Sequence, residues 1–550
     1  MQFRLVLVFL SLMMPAGAQD PTLAVVNARV WTGNPSQPRA EAILVTGDTI
    51  TAVGSNQEIS GRTGKRTRTI DAHGQMLVPG FIDSHVHFLD GGFALASVQL
   101  RNARTKEEFV ARIKAFAATS PPGVWITAGD WDHQNWGGEL PTREWIDSVT
   151  RDNPVWINRL DGHMCLANTK ALEAAKVSRS TQSPPGGTII RDSAGEPTGI
   201  FKDNAMALVE KIVPPPTPAQ SARALEEAMK YVAERGVTSV VHMGGWSDLE
   251  VFDRADKAGR LKIRIYAAVP LSTWERLGQR VAAAGRGNDY LSVGGLKAFV
   301  DGSLGSHTAA FLEPFTDAPK DSGLMVSKPE ELYSWTSGAT KAGLQVMVHA
   351  IGDRAIRTQL DIFERVQNEQ HPANARFRME HAQHIAPPDI ARFAKLNVIA
   401  SMQPYHAIDD GRWAEKVIGP ERIKTTYAFR SLLDAGAKVV FGSDWFVAPP
   451  TPLEGIYAAV TRKTLDDKNP GGWVPEQKIK VEEALRAYTA DAAYGQFTES
   501  RKGTLQAGKL ADFVLIDRDL TTIPPAEIRD AKVRLTVVGG RVIIEVTEKP

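Results

Sequence analysis

Apolar and polar positions alternate in short runs at both ends of the chain and in longer units between them. Residues 24–30, 42–46 and 49–53 are apolar, largely β-branched runs separated by Gly, Asn, Asp and Pro, and are expected to be strands. The same texture returns at residues 511–516 and 533–538, where Gly539-Gly540 reads as a hairpin turn into 541–545. Neither end has enough strands to bury a sheet face alone. Together they are expected to form one small β-sandwich, built from residues 19–78 and 500–550.

The middle of the chain has a different rhythm. Apolar runs at 81–85, 236–241, 263–267, 295–300, 344–349, 377–381, 398–402 and 438–442 alternate with helical stretches such as 222–235 and 353–368. That alternation implies parallel βα units. Eight runs match the strand count of a (β/α)₈ TIM-like barrel, expected over 79–499; a doubly wound open sheet is the other reading of alternation alone. Residues from about 88 to 218 break the rhythm. They carry Trp125, Trp131, Trp136, Trp145 and Trp156 and end in Val213-Pro-Pro-Pro-Thr-Pro218. The segment is expected to be an insertion after the first barrel strand. Loops that follow barrel strands lie on the catalytic face, so it should cover the site and shape its pocket.

Composition narrows the class. The 550 residues are 43% apolar and 23% charged, ordinary for a globular protein. A net charge of +1, with no long basic run, sets nucleic acid and anionic membrane aside as partners. Arg4, the apolar run 5–14 and Ala16-Gly17-Ala18 have the order of a secretory signal, expected to span residues 1–18. The apolar run is too short to span a bilayer. Cys165 is the single cysteine, so no intrachain disulfide can form. Export without disulfides suits a large periplasmic or secreted bacterial enzyme. The expected partner is a small-molecule substrate, with no membrane association once the signal is removed and self-association left open.

Candidate chemistry clusters at strand ends. Alternate strand residues face one way, so His85 and His87 point together at the end of an apolar strand. An HxH pair alone fits a structural or surface role better. Its weight comes from company: His349 and His381 end later strands, Asp444 follows the last, and Lys297 lies inside an apolar one. A buried lysine is costly unless neutral or paired. Carbamylated, Lys297 would bridge two metals as an anionic ligand; alternatively it pairs with Asp301 or another acid at the barrel mouth. Imidazole and carboxylate ligands suit Zn²⁺ first, with Mn²⁺, Co²⁺ or Fe²⁺ as other occupants.

These motifs carry a resemblance. The chain resembles the amidohydrolase superfamily, and within it the N-substituted formamide deformylase-like branch. The resemblance runs through Leu77-Val-Pro-Gly-Phe-Ile-Asp-Ser-His-Val-His87, Leu296-Lys-Ala-Phe-Val-Asp-Gly-Ser-Leu-Gly305, Val348-His-Ala-Ile-Gly-Asp353, Glu380-His-Ala-Gln383, Gly442-Ser-Asp444 and Gly503-Thr-Leu-Gln-Ala-Gly-Lys-Leu-Ala-Asp512. It implies two divalent ions, one on His85, His87 and Asp444 and one on His349 and His381, bridged by carbamylated Lys297. It also implies that Asp444 is catalytic, moving a proton from metal-activated water to the leaving group. His307 stands where similar sequences usually carry Arg.

The function expected is hydrolysis of a C–N bond in an amide, N-formyl, N-acyl or cyclic amide small molecule. Hydrolysis of an ester, lactone or carbamate at the same site is the alternative; a non-enzymatic metal- or solute-binding protein is a third reading. His163, His242, His307 and Trp131 are candidate substrate contacts, whereas His384 and His406 read as structural or surface residues.

Overall fold

The eight apolar runs of the middle segment form one parallel sheet that curls on itself. The computed structural model describes residues 20–546; the expected signal segment, 1–18, lies outside the described residues. The barrel strands are β1 (Phe81–Val86), β2 (Val237–Met243), β3 (Arg264–Pro270), β4 (Leu291–Phe299), β5 (Gln345–Ala350), β6 (Arg378–His381), β7 (Ile399–Met402) and β8 (Val439–Phe441). Each pairs in parallel with the next, from β1 to β8. Two backbone hydrogen bonds draw the first and last strands together at the carboxyl rim. Asp444 N–H donates to His85 O and His87 N–H to Trp445 O, both at 2.7 Å.

All six residues of β1 are buried. Burial on both faces is why such strands read as continuous apolar runs. The helix α1 (Pro218–Ala233) shows how outer helices are specified. Thr217 and Gln220 form a capping box, Pro218 opens the first turn, and Leu225, Met229 and Val232 lie on its buried face. The proline run at the end of the insertion thus starts a barrel helix.

The two chain ends meet in a sandwich. Leu23–Val26, Ala42–Thr46, Thr49–Gly54 and Arg68–Asp71 make a four-stranded sheet. The second sheet interleaves both ends, with Met76–Pro79 antiparallel to Phe513–Ile516. Leu23, Val25, Ile43, Val45, Leu77, Phe513, Leu515 and Val537 form the core between them. The run at 24–30, read as one strand, is two. Asn27, at φ 55°, breaks it into Leu23–Val26 and Arg29–Trp31, which join different sheets. Gly539 and Gly540 both take positive φ in the hairpin turn, as a two-residue turn requires.

A buried ion pair fastens sandwich to barrel. Arg264, at the start of β3, donates to Asp512 at 2.6 and 2.8 Å, and Gly539 N–H donates to the same carboxylate at 2.8 Å. Asp512→Ala strands the guanidinium in the interface. The expected cost is about 3–5 kcal/mol, read as a lower midpoint of urea unfolding; an unchanged midpoint would show that the pair carries no weight.

The insertion has its own sheet, in the order Gly187–Arg191, Pro197–Asp203, Met164–Ala167, Val155–Asn158, Ile126–Thr127. Helix Lys106–Thr119 packs on it through Phe109 and Ile113, alongside Trp131, Ile146 and Ile157. Trp131 is fully buried there and donates its indole N–H to Ile157 O at 3.0 Å. A large ring whose one polar group is satisfied internally belongs to that core, which corrects its expected place at substrate.

Candidate metal centre

His85 and His87 project from the carboxyl end of β1 with ring centroids 5.8 Å apart. Asp444 reaches them from the loop after β8, where it holds φ 60°. Asp83 shapes that loop: its carboxylate accepts Ser443 N–H at 2.8 Å and Ser443 Oγ–H at 2.5 Å. Gly442 is required beside it, because a Cβ there would stand 2.5 Å from His85 N. The Gly-Ser-Asp motif is therefore a close backbone approach that delivers the Asp444 carboxylate.

Asp444 Oδ1 lies 3.4 Å from His85 Nε2 and 3.4 Å from His87 Nε2. It is buried and has no hydrogen-bond partner. Burial pushes the histidine pKa values down, His87 to about 3 and His85, His349 and His381 well below the ordinary range; the Lys297 charge adds to the effect on all four. These imidazoles are neutral, with lone pairs to offer. Two ligand atoms about 2.0–2.2 Å from one tetrahedral Zn²⁺ lie about 3.3–3.5 Å apart. The donor set fits a divalent cation in both spacing and charge.

The ring tautomers are fixed from behind. His85 Nδ1–H donates to Glu380 Oε2 at 2.6 Å, which turns Nε2 toward Asp444. Arg378 grips that same carboxylate at 2.8 and 3.1 Å and also bonds Ser84 O and Ser401 Oγ. Arg378 and Glu380 are fully buried. The sequence signal for them was two charges at alternate positions of an otherwise apolar strand, but only the histidine that follows was read as chemistry. His381 Nδ1–H donates to Gln403 Oε1 at 2.8 Å, and His349 Nε2–H to Gly302 O at 3.0 Å. Each keeps its other nitrogen free.

Lys297 Nζ stands 3.3 Å from His85 Nε2 and 4.6 Å above the Phe299 ring. Burial drives its pKa down, while Glu380 and Asp444 hold it up. Asp301 is not its partner. That carboxylate accepts the N–H groups of Ala310, Ile351 and Gly352 at 2.8–3.0 Å and so braces the loops after β4 and β5. Among the described residues two three-donor groups form: His85, His87 and Asp444, and His381, His406 and Asp444. His349 belongs to neither, although its ring lies 4.5 Å from that of His381.

A small polar cavity of about 70 Å³ opens on this cluster. The insertion supplies one wall through Arg159, Asp161 and His163. Asp161 accepts the hydroxyls of Ser303 and Ser306 and pairs with Arg159, latching the insertion onto the loop after β4. His163 faces the cavity, with Nδ1 held by Asp203 Oδ1 at 2.7 Å. His242 and His307 do not line it. His242 is fully buried, accepts Phe88 N–H at 3.0 Å through Nδ1 and meets Asp248 at 3.2 Å, so it secures the helix start after β1. His307 is turned to Asp317, at 3.0 and 3.1 Å. His242 through both nitrogens and His307 through Nε2 are engaged away from the cavity, which corrects their expected role as contacts. His406, read as structural or surface, lines the cavity instead.

Eight parallel strands with histidines and an aspartate converging at their carboxyl ends define a metal-dependent hydrolase barrel. Comparison with known proteins agrees. The chain belongs to the amidohydrolase family, whose model (Amidohydro_3) matches residues 68–544. It is 40% identical to Protein LONG AFTER FAR-RED 3 of Arabidopsis thaliana over 96% of this chain and 93% of that one. It is 28% identical to the N-substituted formamide deformylase of Arthrobacter pascens over 94% and 97%. An uncharacterized metal-dependent hydrolase from Pyrococcus horikoshii OT3 superposes with a TM-score of 0.74 at 28% identity, covering 92% of this chain and 99% of that one.

Proposed function

We propose that the protein hydrolyses a C–N bond of an amide, N-formyl, N-acyl or cyclic amide small molecule. The observation that carries this reading is the buried, unpartnered Asp444 Oδ1 set 3.4 Å from two neutral imidazole nitrogens. His85, His87 and Asp444 would hold one divalent ion, Zn²⁺ first. His349 and His381 would hold a second, with carbamylated Lys297 between them. Bound ions supply a polarised carbonyl and an acidified water.

The protein's own groups do the rest. Asp444 takes the proton of the attacking water and returns it to the leaving nitrogen. The Asp161–Ser303 latch keeps the insertion over the cavity and limits bulk water. Burial lowers the Lys297 pKa to about 8, which enlarges the share of neutral amine, the form that adds carbon dioxide with loss of one proton. The amide preference is supported by the A. pascens relative, which is named for deformylation of N-substituted formamides. Export belongs to the same proposal: the mature chain would start at Gln19, which N-terminal sequencing of the native protein checks. Among the described residues no helix is long and apolar enough to cross a membrane.

Metal removal provides the direct test. Protein stripped with a chelator is expected to lose at least about 99% of its turnover and to regain it with Zn²⁺ or Co²⁺, because the ion supplies several kcal/mol of charge stabilisation. Turnover is screened on N-formyl amines, N-acyl amino acids, dipeptides and lactones. Activity confined to lactones and other esters would replace the C–N reading. Full activity with less than one equivalent of metal would end the metal reading altogether.

A further inference from the structure

We propose that His406 is a catalytic residue whose Nε2–H donates to the substrate carbonyl oxygen as negative charge builds there; this rests on the hydrolase reading above. His406 lies on the helix α2 (Pro404–Asp410), which follows β7. Gln403, the residue before α2, holds His381 Nδ1. One turn therefore orients His381 and carries His406 to the cavity.

Among the described residues His406 Nε2 is the one imidazole nitrogen that is shielded from solvent and has no hydrogen-bond partner. A buried polar group left unpaired costs about 1–3 kcal/mol, so an orphan that lines a cavity points to a ligand. His384 shows the contrast: its Nδ1 meets Thr426 Oγ1 at 2.9 Å and its Nε2 lies 3.1 Å from the Gln383 amide.

His406 has one acceptor across from it. Its ligand atom lies within 4.8 Å of one from His381 and one from Asp444. Asp444 presents a carboxylate, and the His381 nitrogen nearest to it, at 4.0 Å, is Nδ1, which is given to Gln403. Toward that carboxylate His406 presents N–H. Spacing argues against a third ligand to an ion. His381 and Asp444 stand 4.0 Å apart at their nearest, wider than the about 3.3–3.5 Å of atoms sharing one tetrahedral ion. A carbonyl oxygen beside that carboxylate needs a donor, which His406 Nε2–H supplies. A donor fixed before charge develops costs no reorganisation, and deleting one such donor typically lowers kcat by about 10²–10³-fold.

The test compares wild type, His406→Ala and His406→Gln, each loaded with Co²⁺, on methylphosphonate, a tetrahedral anion that needs no knowledge of the substrate. Cobalt content and visible spectrum without the anion are expected to be the same in all three. Methylphosphonate affinity should fall at least about tenfold in His406→Ala and recover in part in His406→Gln, whose amide still donates. Where the activity screen yields a substrate, kcat should fall about 10²-fold in His406→Ala with KM little changed. Equal affinity in all three proteins, no binding to wild type, or loss of cobalt from His406→Ala would overturn the proposal, the last by making His406 a ligand. Misfolding of His406→Ala shows as a lost thermal transition, and His406→Gln against wild type then decides: unchanged cobalt with weakened but measurable binding supports the donor. Phosphonate binding that depends on His406, in a protein inactive on every screened amide and ester, would remove the hydrolase reading and leave the donor standing.

Discussion

Asp444→Asn is expected to lower kcat by about 10³- to 10⁴-fold, the upper range for loss of a positioned acid–base group. The substitution keeps volume and the backbone bond from residue 444 to His85 O, so the rim where β1 meets β8 should survive. What goes is the negative charge that faces His85 Nε2 and His87 Nε2 at 3.4 Å and the site that accepts the water proton. Circular dichroism should match wild type, bound metal should persist in part on the histidines, and steady-state turnover should be nearly absent. Full activity in this variant would mean that another group moves the proton.

Arg378→Met is expected to be the most destabilising single change near the site. Arg378 and Glu380 are fully buried, and Glu380 also takes the His85 Nδ1 proton. Without the guanidinium the carboxylate is a buried charge with no counter-charge behind it, which costs about 3–5 kcal/mol. A second effect separates this chain of contacts from simple packing. Partners that orient a ligand imidazole typically change metal affinity by about 10–100-fold, so competition with a chelator should show weaker binding in any Arg378→Met that folds. Glu380→Gln added to Arg378→Met removes the stranded charge and should recover much of the stability while metal binding stays weak. Wild-type affinity in both variants would show that Glu380 does not govern the tautomer of His85.

The barrel and its ligand ends were legible because both signals are local. Parallel strands buried on two faces read as apolar runs, and a period of two aligned His85 with His87. Lys297 was visible because an ammonium group in such a run is anomalous. The groups that act across the barrel were harder to read. His85 finds Glu380, 295 residues away, and no spacing rule links them. His406 sits on a short helix that matches no ligand motif, and only its position over the cavity distinguishes it. Trp131, a candidate contact by residue type, belongs to the insertion: a five-stranded sheet needs a core of its own, and the indole fills it. His242 and His307 look like site histidines by residue type; Asp248 and Asp317 claim them in the fold.

The pairing of Met76–Pro79 with Phe513–Ile516 also orders events in time. At about 5–20 residues per second, a ribosome needs roughly 20–90 s to make the partner after the first of these strands has emerged. Through that interval the early strand has an open edge, the kind of surface that invites pairing with other chains. The sandwich is thus the last part that can close, and a chain halted before residue 513 would carry a finished barrel beside an adhesive half-sheet.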